Sequence, residues 1–175
     1  DDGHWDPRLY GGGSQQIVEG EDRQGAGTRA DSGLTGLALL AFLANGETHL
    51  KGEHRTHVQH GLEYLIRVQS RDGNLAGNAS NFARMYCHSM ATLALGEAFA
   101  MTQDERIRPY LERAVAYTLA AQHPTGGGWR YRPWRYQTDD PGDMSQFGWQ
   151  LMALKSAEAA GVEIPQQTFT LMRRF

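Results

Sequence analysis

Three heptapeptides in this chain follow one pattern, in which a small residue precedes an almost entirely apolar stretch. They are Gly36-Leu37-Ala38-Leu39-Leu40-Ala41-Phe42, Ser89-Met90-Ala91-Thr92-Leu93-Ala94-Leu95 and Gly148-Trp149-Gln150-Leu151-Met152-Ala153-Leu154. They align without gaps, 53 and then 59 residues apart. Self-similarity at such a period is typical of repeat architectures. The sequence therefore predicts an array of similar units.

A second motif recurs between the heptapeptides. Tyr64 and Gln69 lead to Asp72-Gly73-Asn74-Leu75, and Tyr117 and Gln122 lead to Gly126-Gly127-Gly128-Trp129. The first residues, Asp2-Gly3-His4-Trp5, look like the end of a third copy. We therefore expect residues 1–175 to form a single repeat domain that is part of a longer chain.

The apolar periodicity predicts two kinds of helix. Residues 34–44, 90–101 and 147–160 are apolar on nearly every side, which is typical of helices buried on all faces. Between them, Val58, Leu62 and Leu65 give one apolar stripe, as Leu111, Ala114 and Val115 do later, which indicates half-solvated outer helices. A sixth helix is predicted to begin at Pro165. The fold class is all-α, with about three helical hairpins.

Composition narrows the classes of partner. The net charge of -3 argues against nucleic acid or an anionic membrane as the main partner. The sequence contains no run of about 18 apolar residues, the length that would predict a transmembrane segment. The single cysteine, Cys87, rules out an intrachain disulfide, and the compartment stays open.

Alternating buried and half-buried helices, joined by an aromatic-x4-Gln-x3-Gly-x-Trp signature, resemble the squalene cyclase and protein prenyltransferase repeat superfamily. Leu75 departs from the signature, since tryptophan is expected there. Among relatives, the chain most resembles bacterial proteins with these repeats that are common in planctomycetes. The resemblance implies an α/α toroid, with an inner ring of parallel helices, an outer ring, and a cavity at the N-terminal end of the inner helices. A full toroid of this family has about six hairpins, and this chain has three. The resemblance therefore implies a partial ring, completed by a missing half or by self-association.

The alignment places Asp31 and Asp143 at equivalent positions, each five residues before its heptapeptide, with Arg84 at the third. In the family, this region carries an Asp-x-Cys zinc pair or an Asp-x-Asp-Asp acid. Ser145 stands where the zinc thiolate is expected, so we predict no zinc site, no other metal site and no cofactor. Asp31 and Asp143 are either helix caps or catalytic or ligand-binding carboxylates.

His88, next to Cys87, is a third candidate catalytic residue at the head of the middle inner helix. Adjacent residues diverge by about 100° on a helix and no second cysteine exists, so a buried thiol and a hydrogen-bonded core histidine are the favoured interpretation.

An unusual stretch alternates aromatic and arginine residues between Trp129 and Tyr136. It is predicted to pack across the mouth of the cavity as a rim or plug, or to form an aromatic wall that binds a ligand. A single such stretch in an acidic chain argues against stacking on nucleic-acid bases. The predicted ligand-binding residues are Arg84, Trp129, Tyr131, Trp134 and Trp149.

The favoured function is a binding or scaffold module whose cavity accepts an apolar small molecule or a peptide. The alternative is an enzyme that resembles a terpenoid cyclase or a prenyltransferase. Two structural expectations accompany these hypotheses. Glu97 and Lys155 are predicted to pair between neighbouring inner helices, and the inner faces are expected to stay partly uncovered at Leu39, Phe42, Leu93, Leu151 and Leu154.

Overall fold

The computed structural model describes residues 2–12, 17–18, 20–23, 25–136 and 139–175. The described chain is all-α, as predicted, and its α-helices are α1 (Asp31–Ala44), α2 (Arg55–Val68), α3 (Asn81–Thr102), α4 (Arg108–Ala121), α5 (Met144–Ala159) and α6 (Gln166–Met172). Three short 3-10 turns cover Pro7–Tyr10, Ala26–Arg29 and Trp134–Tyr136. Two-residue strands β1 (Ile17–Val18) and β2 (Glu21–Asp22) form one antiparallel pair.

Helices α1, α3 and α5 lie side by side and run in the same direction, with α3 in the middle. Gly33 and then Gly36 of α1 face Cys87 and then Met90 of α3, at a spacing that leaves no room for a Cβ. The residue numbers of the contacting pairs between α3 and α5 also increase along both helices, as expected for parallel helices. Gln150 Nε2 donates to the Met85 carbonyl at 3.0 Å, and Ser156 Oγ donates to Glu97 Oε1 at 2.7 Å. The N-terminal ends of these three central helices therefore lie at the same end of the array.

The remaining long helices cover one side of this central layer. Helix α2 packs on α1 through its apolar stripe, and α4 packs on α3 in the same way. Leu39 of α1 meets Gly61 of α2, and Leu39 and Leu154 are fully buried. The expectation that these two leucines are uncovered is wrong, because their side of the central helices faces the outer helices. Each buried leucine contributes about 1.5–3 kcal/mol through the hydrophobic effect.

The two glutamines of the second motif make equivalent hydrogen bonds. Gln69 Nε2 donates to the carbonyls of Gly73, in its own loop, and Tyr110, in α4, at 3.3 and 2.9 Å. Gln122 Nε2 donates to Gly127 in its loop and to Thr168 in α6, at 2.9 and 3.2 Å. Each glutamine thus ties the end of one outer helix to the next outer helix.

The glycines of the same loops lie against backbone carbonyls. Gly73 and Gly127 have φ of 93° and 78°, and a Cβ at either would collide with the carbonyl of Arg113 or Leu171. Gly3 approaches the His60 carbonyl of α2 in the same manner. Only glycine combines a positive φ with so close an approach.

The predicted ion pair between Glu97 and Lys155 is wrong. Lys155 Nζ lies 2.7 Å from Glu158 Oε2 on its own helix and 4.3 Å from the centre of the Phe169 ring. Glu97 instead accepts a hydrogen bond from Ser156. Since residues one position apart on a helix diverge by about 100°, Ser156 rather than Lys155 faces α3.

Candidate functional site

The parallel course of α1, α3 and α5 brings three predicted site residues to one end of the molecule. Asp31 is the first residue of α1, Arg84 lies in the first turn of α3, and Asp143 is the residue before α5. The connections 69–80 and 122–143 arrive at the same end. Long connections at the end of a helical array are common places for binding residues.

Asp143 caps helix α5, as predicted. Its Oδ1 accepts hydrogen bonds from the Ser145 and Gln146 backbone N–H groups at 2.9 and 3.2 Å, and from the Ser145 hydroxyl. Arg130 Nη1 lies 3.4 Å from Asp143 Oδ2. Partial burial opposes ionisation of Asp143, but these hydrogen bonds and the Arg130 charge outweigh it and lower its pKa. Asp143 is therefore an ionised structural cap.

Asp31 does not cap α1, so the capping interpretation is wrong for this residue. The helix begins at Asp31 itself, after Ala30, which offers no capping side chain. The Oδ1 atom of Asp31 is buried and has no hydrogen-bond partner among the described residues. Burial raises the Asp31 pKa, and the nearby imidazole of His4 only partly opposes this. Two aspartates at equivalent sequence positions thus have opposite pKa shifts.

Arg84 lines a cavity of about 310 Å³ between the N-terminal end of α3 and the loop 122–143. Arg132, Arg135 and Asp72 share its wall. Within the described ranges, no hydrogen bond or salt bridge joins Arg84 to Asp31 or Asp143. The residue that pairs with Asp143 is Arg130, whose Nε also lies 3.0 Å from Asp140 Oδ2. The sequence feature that could have indicated Arg130 as a site residue is its position directly after Trp129 in the aromatic and basic stretch.

Tyr131 lies in an aromatic cluster at this end. Its ring meets Phe82 edge-on at 5.7 Å and Tyr86 at 6.1 Å, and the Arg130 guanidinium lies 4.8 Å from its centre. The Tyr86 hydroxyl and Ser145 Oγ share a hydrogen bond of 2.5 Å. Trp134 is half-buried in the 3-10 turn that follows Tyr131 along the chain. Residues from α3, α5 and the loop 122–143 therefore meet at one surface.

Trp129 and His88 belong to the core instead. Trp129 is 1% exposed, and its Nε1 donates to the Thr118 carbonyl at 2.9 Å, so its indole does not form the wall of a ligand site. His88 is fully buried, with the Leu75 N–H donating to its Nδ1 at 3.1 Å and Thr118 Oγ1 2.9 Å from its Nε2. Burial lowers the pKa of His88 to about 3 and raises that of the Cys87 thiol to about 11. The favoured structural interpretation of this pair is confirmed.

The side of α1, α3 and α5 that faces away from α2 and α4 carries exposed apolar side chains. Leu37 on α1 is 38% exposed, Met101 on α3 is 44% exposed, and Met152 on α5 is 45% exposed. Trp149 lies half-buried on the same side of α5. We call this surface the free face, and its apolar members are Leu37, Leu40, Ala41, Ala44, Met90, Leu93, Met101, Trp149 and Met152. Glu97 lies among them, next to Leu93 and Met101.

No family model, curated protein or solved structure matches the chain. Across residues 2–12, 17–18, 20–23, 25–136 and 139–175, no group of three or more His, Cys, Asp or Glu residues is arranged to hold a metal ion. None of the helices in these same ranges combines the length and the apolar character needed to cross a membrane.

Proposed function

We propose that this chain is a binding module of the α/α toroid type, which holds an apolar small molecule or an apolar peptide against the free face. The observation that carries the proposal is the exposure of large apolar side chains on the same side of three parallel helices. Contiguous apolar patches of several hundred Å² are rare on soluble monomers unless they bind something. The ligand would remove Leu37, Met101 and Met152 from water.

Three features support the toroid part of the proposal. The central helices run parallel, the outer helices cover one side only, and Gln69 and Gln122 make equivalent bonds between successive outer helices. In such an array, the free face would be the inner wall, and its mouth would lie at the N-terminal ends. Tyr131 and Trp134 would contact the polar end of the ligand there, and Trp149 would contact its apolar body. Arg84 instead lines the cavity that includes Tyr117 of α4, so it would not reach this ligand.

Three hairpins give only part of a closed wall. We propose that further hairpins or a second copy of the chain complete it. Either arrangement would deepen the apolar cavity, because additional central helices would continue the surface begun by α1, α3 and α5.

The test measures binding of N-phenyl-1-naphthylamine, a neutral apolar fluorophore, by the protein and two variants. Met152→Glu places a carboxylate on the free face and should weaken binding at least about tenfold, because burying an unpaired charge is costly. The matched control Leu9→Glu changes a residue that is 78% exposed and lies outside the free face, so it should leave the affinity unchanged. Equal affinities for the protein and both variants, or an equal loss in both, would reject the proposal.

A second candidate function is catalysis in the manner of a terpenoid cyclase, favoured by the state of Asp31. A raised pKa and a buried Oδ1 without a partner in the described part of the chain suit a carboxyl group that holds a proton for transfer. Cyclised product from squalene, lost in Asp31→Asn but retained in Asp143→Asn, would favour this function. The absence of product in the unsubstituted protein would reject it.

A further inference from the structure

The cavity that Arg84 lines, of about 310 Å³, opens beside the N-terminal end of α3. Asn81 and Arg84 of α3 and Tyr117 of the outer helix α4 lie in its wall. The connections 69–80 and 122–143 add Asp72, Arg132, Arg135 and Tyr136 to the wall. Several of these side chains are exposed, so the cavity is open to solvent.

The wall of this cavity is positively charged. Its three guanidinium groups and one carboxylate leave a net charge of +2. Asp72 accepts hydrogen bonds from the Ser70 hydroxyl and the Asn74 N–H, so its carboxylate is partly engaged by its own loop. Arg84 is half-buried, and no salt bridge joins it to a carboxylate in the described part of the chain. The charge therefore favours an anion as the ligand.

The N-terminus of α3 adds to this positive charge. Arg84 lies in the first turn of the 22-residue helix, which has no acidic residue there and no side-chain hydrogen bond from Ser80 at its N-cap. The helix dipole already gives this end a partial positive charge, so a positive side chain there is unfavourable for folding. An anion in the cavity would be stabilised by both. The position of Arg84 thus suits binding better than it suits stability.

Tyr117 places a phenol in the same wall. The residue is 6% exposed, and its ring packs edge-on against His88 with the ring centres 4.7 Å apart. The ionisable groups that act on the phenol all line the cavity, and they are Asp72, Arg84, Arg135 and Tyr136. Burial, followed by the Asp72 charge, raises the pKa of Tyr117, so its hydroxyl stays protonated and can donate.

The hydroxyl of Tyr117 is a donor without an acceptor. It makes no hydrogen bond to any residue that the structure describes, and it is not closed to solvent. Since the groups around it line the cavity, the hydroxyl faces the cavity. Polar groups on nearly buried residues usually have a partner, and the exceptions call for an explanation. A ligand oxygen in the cavity would supply the missing bond.

The size and the rim of the cavity indicate what the anion carries. A volume of about 310 Å³ is at the lower end of the range for small-molecule pockets and exceeds the needs of a bare phosphate ion. The Tyr136 ring is 63% exposed, with the Arg135 guanidinium 5.1 Å from its centre. An aromatic group can pack on such a surface.

The charge of the cavity selects the anionic group. A phosphate monoester carries about 1.5 to 2 negative charges near pH 7, which complements the net charge of the wall. Its oxygens also accept hydrogen bonds from a planar guanidinium in pairs. A carboxylate or a sulfonate carries only one negative charge and leaves the wall partly uncompensated.

We propose that this cavity binds a small aromatic phosphate monoester, whose phosphate oxygens accept from Arg84 and the Tyr117 hydroxyl while its ring packs beside Tyr136. The proposal does not rest on the free face. Failure of either proposal therefore leaves the other untouched.

The experiment titrates the whole protein at about pH 7.5 with phenyl phosphate and follows tyrosine ring carbons by NMR. We expect saturable shifts of Tyr117 and Tyr136, while the 71% exposed Tyr10 stays unchanged. Phenyl phosphate should bind more tightly than benzenesulfonate, which has a similar shape but one charge fewer. It should also bind more tightly than inorganic phosphate, which lacks the ring.

A matched pair of variants isolates the charge of Arg84. Arg84→Gln should weaken phenyl phosphate binding at least about tenfold, because hydrogen bonds to charged groups are the stronger ones. Arg55→Gln makes the same change at the exposed first residue of α2, outside the cavity, and should leave the affinity unchanged. Tyr117→Phe keeps the ring but removes the hydroxyl, and it should weaken binding about threefold or more.

Four results would overturn the proposal. They are the absence of a saturable shift at Tyr117, binding of benzenesulfonate or inorganic phosphate as tight as that of phenyl phosphate, equal affinities in Arg84→Gln and Arg55→Gln, and full affinity in Tyr117→Phe. If Arg84→Gln does not fold, Tyr117→Phe alone decides the variant test.

Discussion

At the scale of single residues, His88 is a buried histidine whose side chain contacts two separate segments of the chain. Its ring nitrogens lie within hydrogen-bond distance of the Leu75 backbone N–H and Thr118 Oγ1, and its ring meets that of Tyr117 edge-on at 4.7 Å. Leu75 belongs to the loop before α3, and Thr118 and Tyr117 belong to α4. A neutral imidazole therefore joins a loop to two helices, and its protonation would place an unpaired charge in the core.

We predict that this histidine makes the free energy of unfolding depend on pH. The pKa of His88 is lowered from 6.5 to about 3 in the folded protein, so between these values the unfolded chain binds a proton that the folded chain does not. Stability from His88 is therefore complete above about pH 6.5 and is lost as the pH falls towards 3, by at most about 1.4 kcal/mol per pH unit.

Urea unfolding between about pH 7 and about pH 4 measures this slope. His88→Gln should lower the stability and flatten the slope, whereas His60→Gln, at an exposed position of α2, should preserve both. An unchanged slope in His88→Gln would show that other groups cause the pH dependence.

At the scale of elements, the beginnings of α1 and α5 differ although their sequences align. Asp143 precedes its helix in an extended conformation and accepts two backbone hydrogen bonds. Asp31 lies inside the first turn and accepts none at Oδ1 from any described residue. One residue of difference in where the helix begins thus separates a cap from a partly buried carboxyl group.

We predict opposite effects of removing these two aspartates. Asp143→Ala should cost about 1 kcal/mol, because the first turn of α5 loses its cap. Asp31→Asn should raise the stability near pH 7, since burial raises the Asp31 pKa and the ionised form is the disfavoured one. The sign follows from linkage: a carboxyl group with a raised pKa in the folded state costs stability once the pH exceeds that value.

Chemical denaturation of the two variants, with Asp139→Ala as an exposed control, measures the difference. A loss of stability in Asp31→Asn equal to that in Asp143→Ala would mean that Asp31 also stabilises its helix.

Periodicity in the sequence predicted the helices well where apolar residues dominate, and poorly where they do not. The apolar pattern predicts the middle inner helix over residues 90–101 with His88 at its head, whereas α3 begins at Asn81, because polar residues such as Arg84 interrupt the apolar pattern in its first turns. The pairing of His49 with Asp104 joins residues 55 positions apart in two short turns, and no local pattern indicates it. The equivalence of Gln69 and Gln122, in contrast, was visible as a repeated motif, and their hydrogen bonds are equivalent as well.

At the scale of the whole molecule, the two ends of the array are different. Beside α1, the N-terminal segment covers the core, where the Trp5 N–H donates to Thr35 Oγ1 at 3.0 Å and its ring meets Phe42 at 5.9 Å. Beside α5, an open cavity of about 370 Å³ exposes parts of Phe147, Leu151 and Phe169. The proposed toroid would continue at this second end.

We predict that the protein self-associates through the α5 and α6 end. Two copies related by a twofold axis would bury the apolar side chains of this cavity, in the isologous arrangement common among homodimers. Sedimentation velocity from about 1 to about 100 µM should show a shift from monomer towards dimer. Phe169→Glu should keep the protein monomeric over this range, because it replaces an apolar ring of the proposed contact with a carboxylate that the dimer would have to remove from water, even beside Lys155. Leu50→Glu, which introduces the same charge at a 55% exposed leucine near the outer helices, should dimerise as the unsubstituted protein does. A monomer at every concentration, with no change in Phe169→Glu, would contradict self-association at this end.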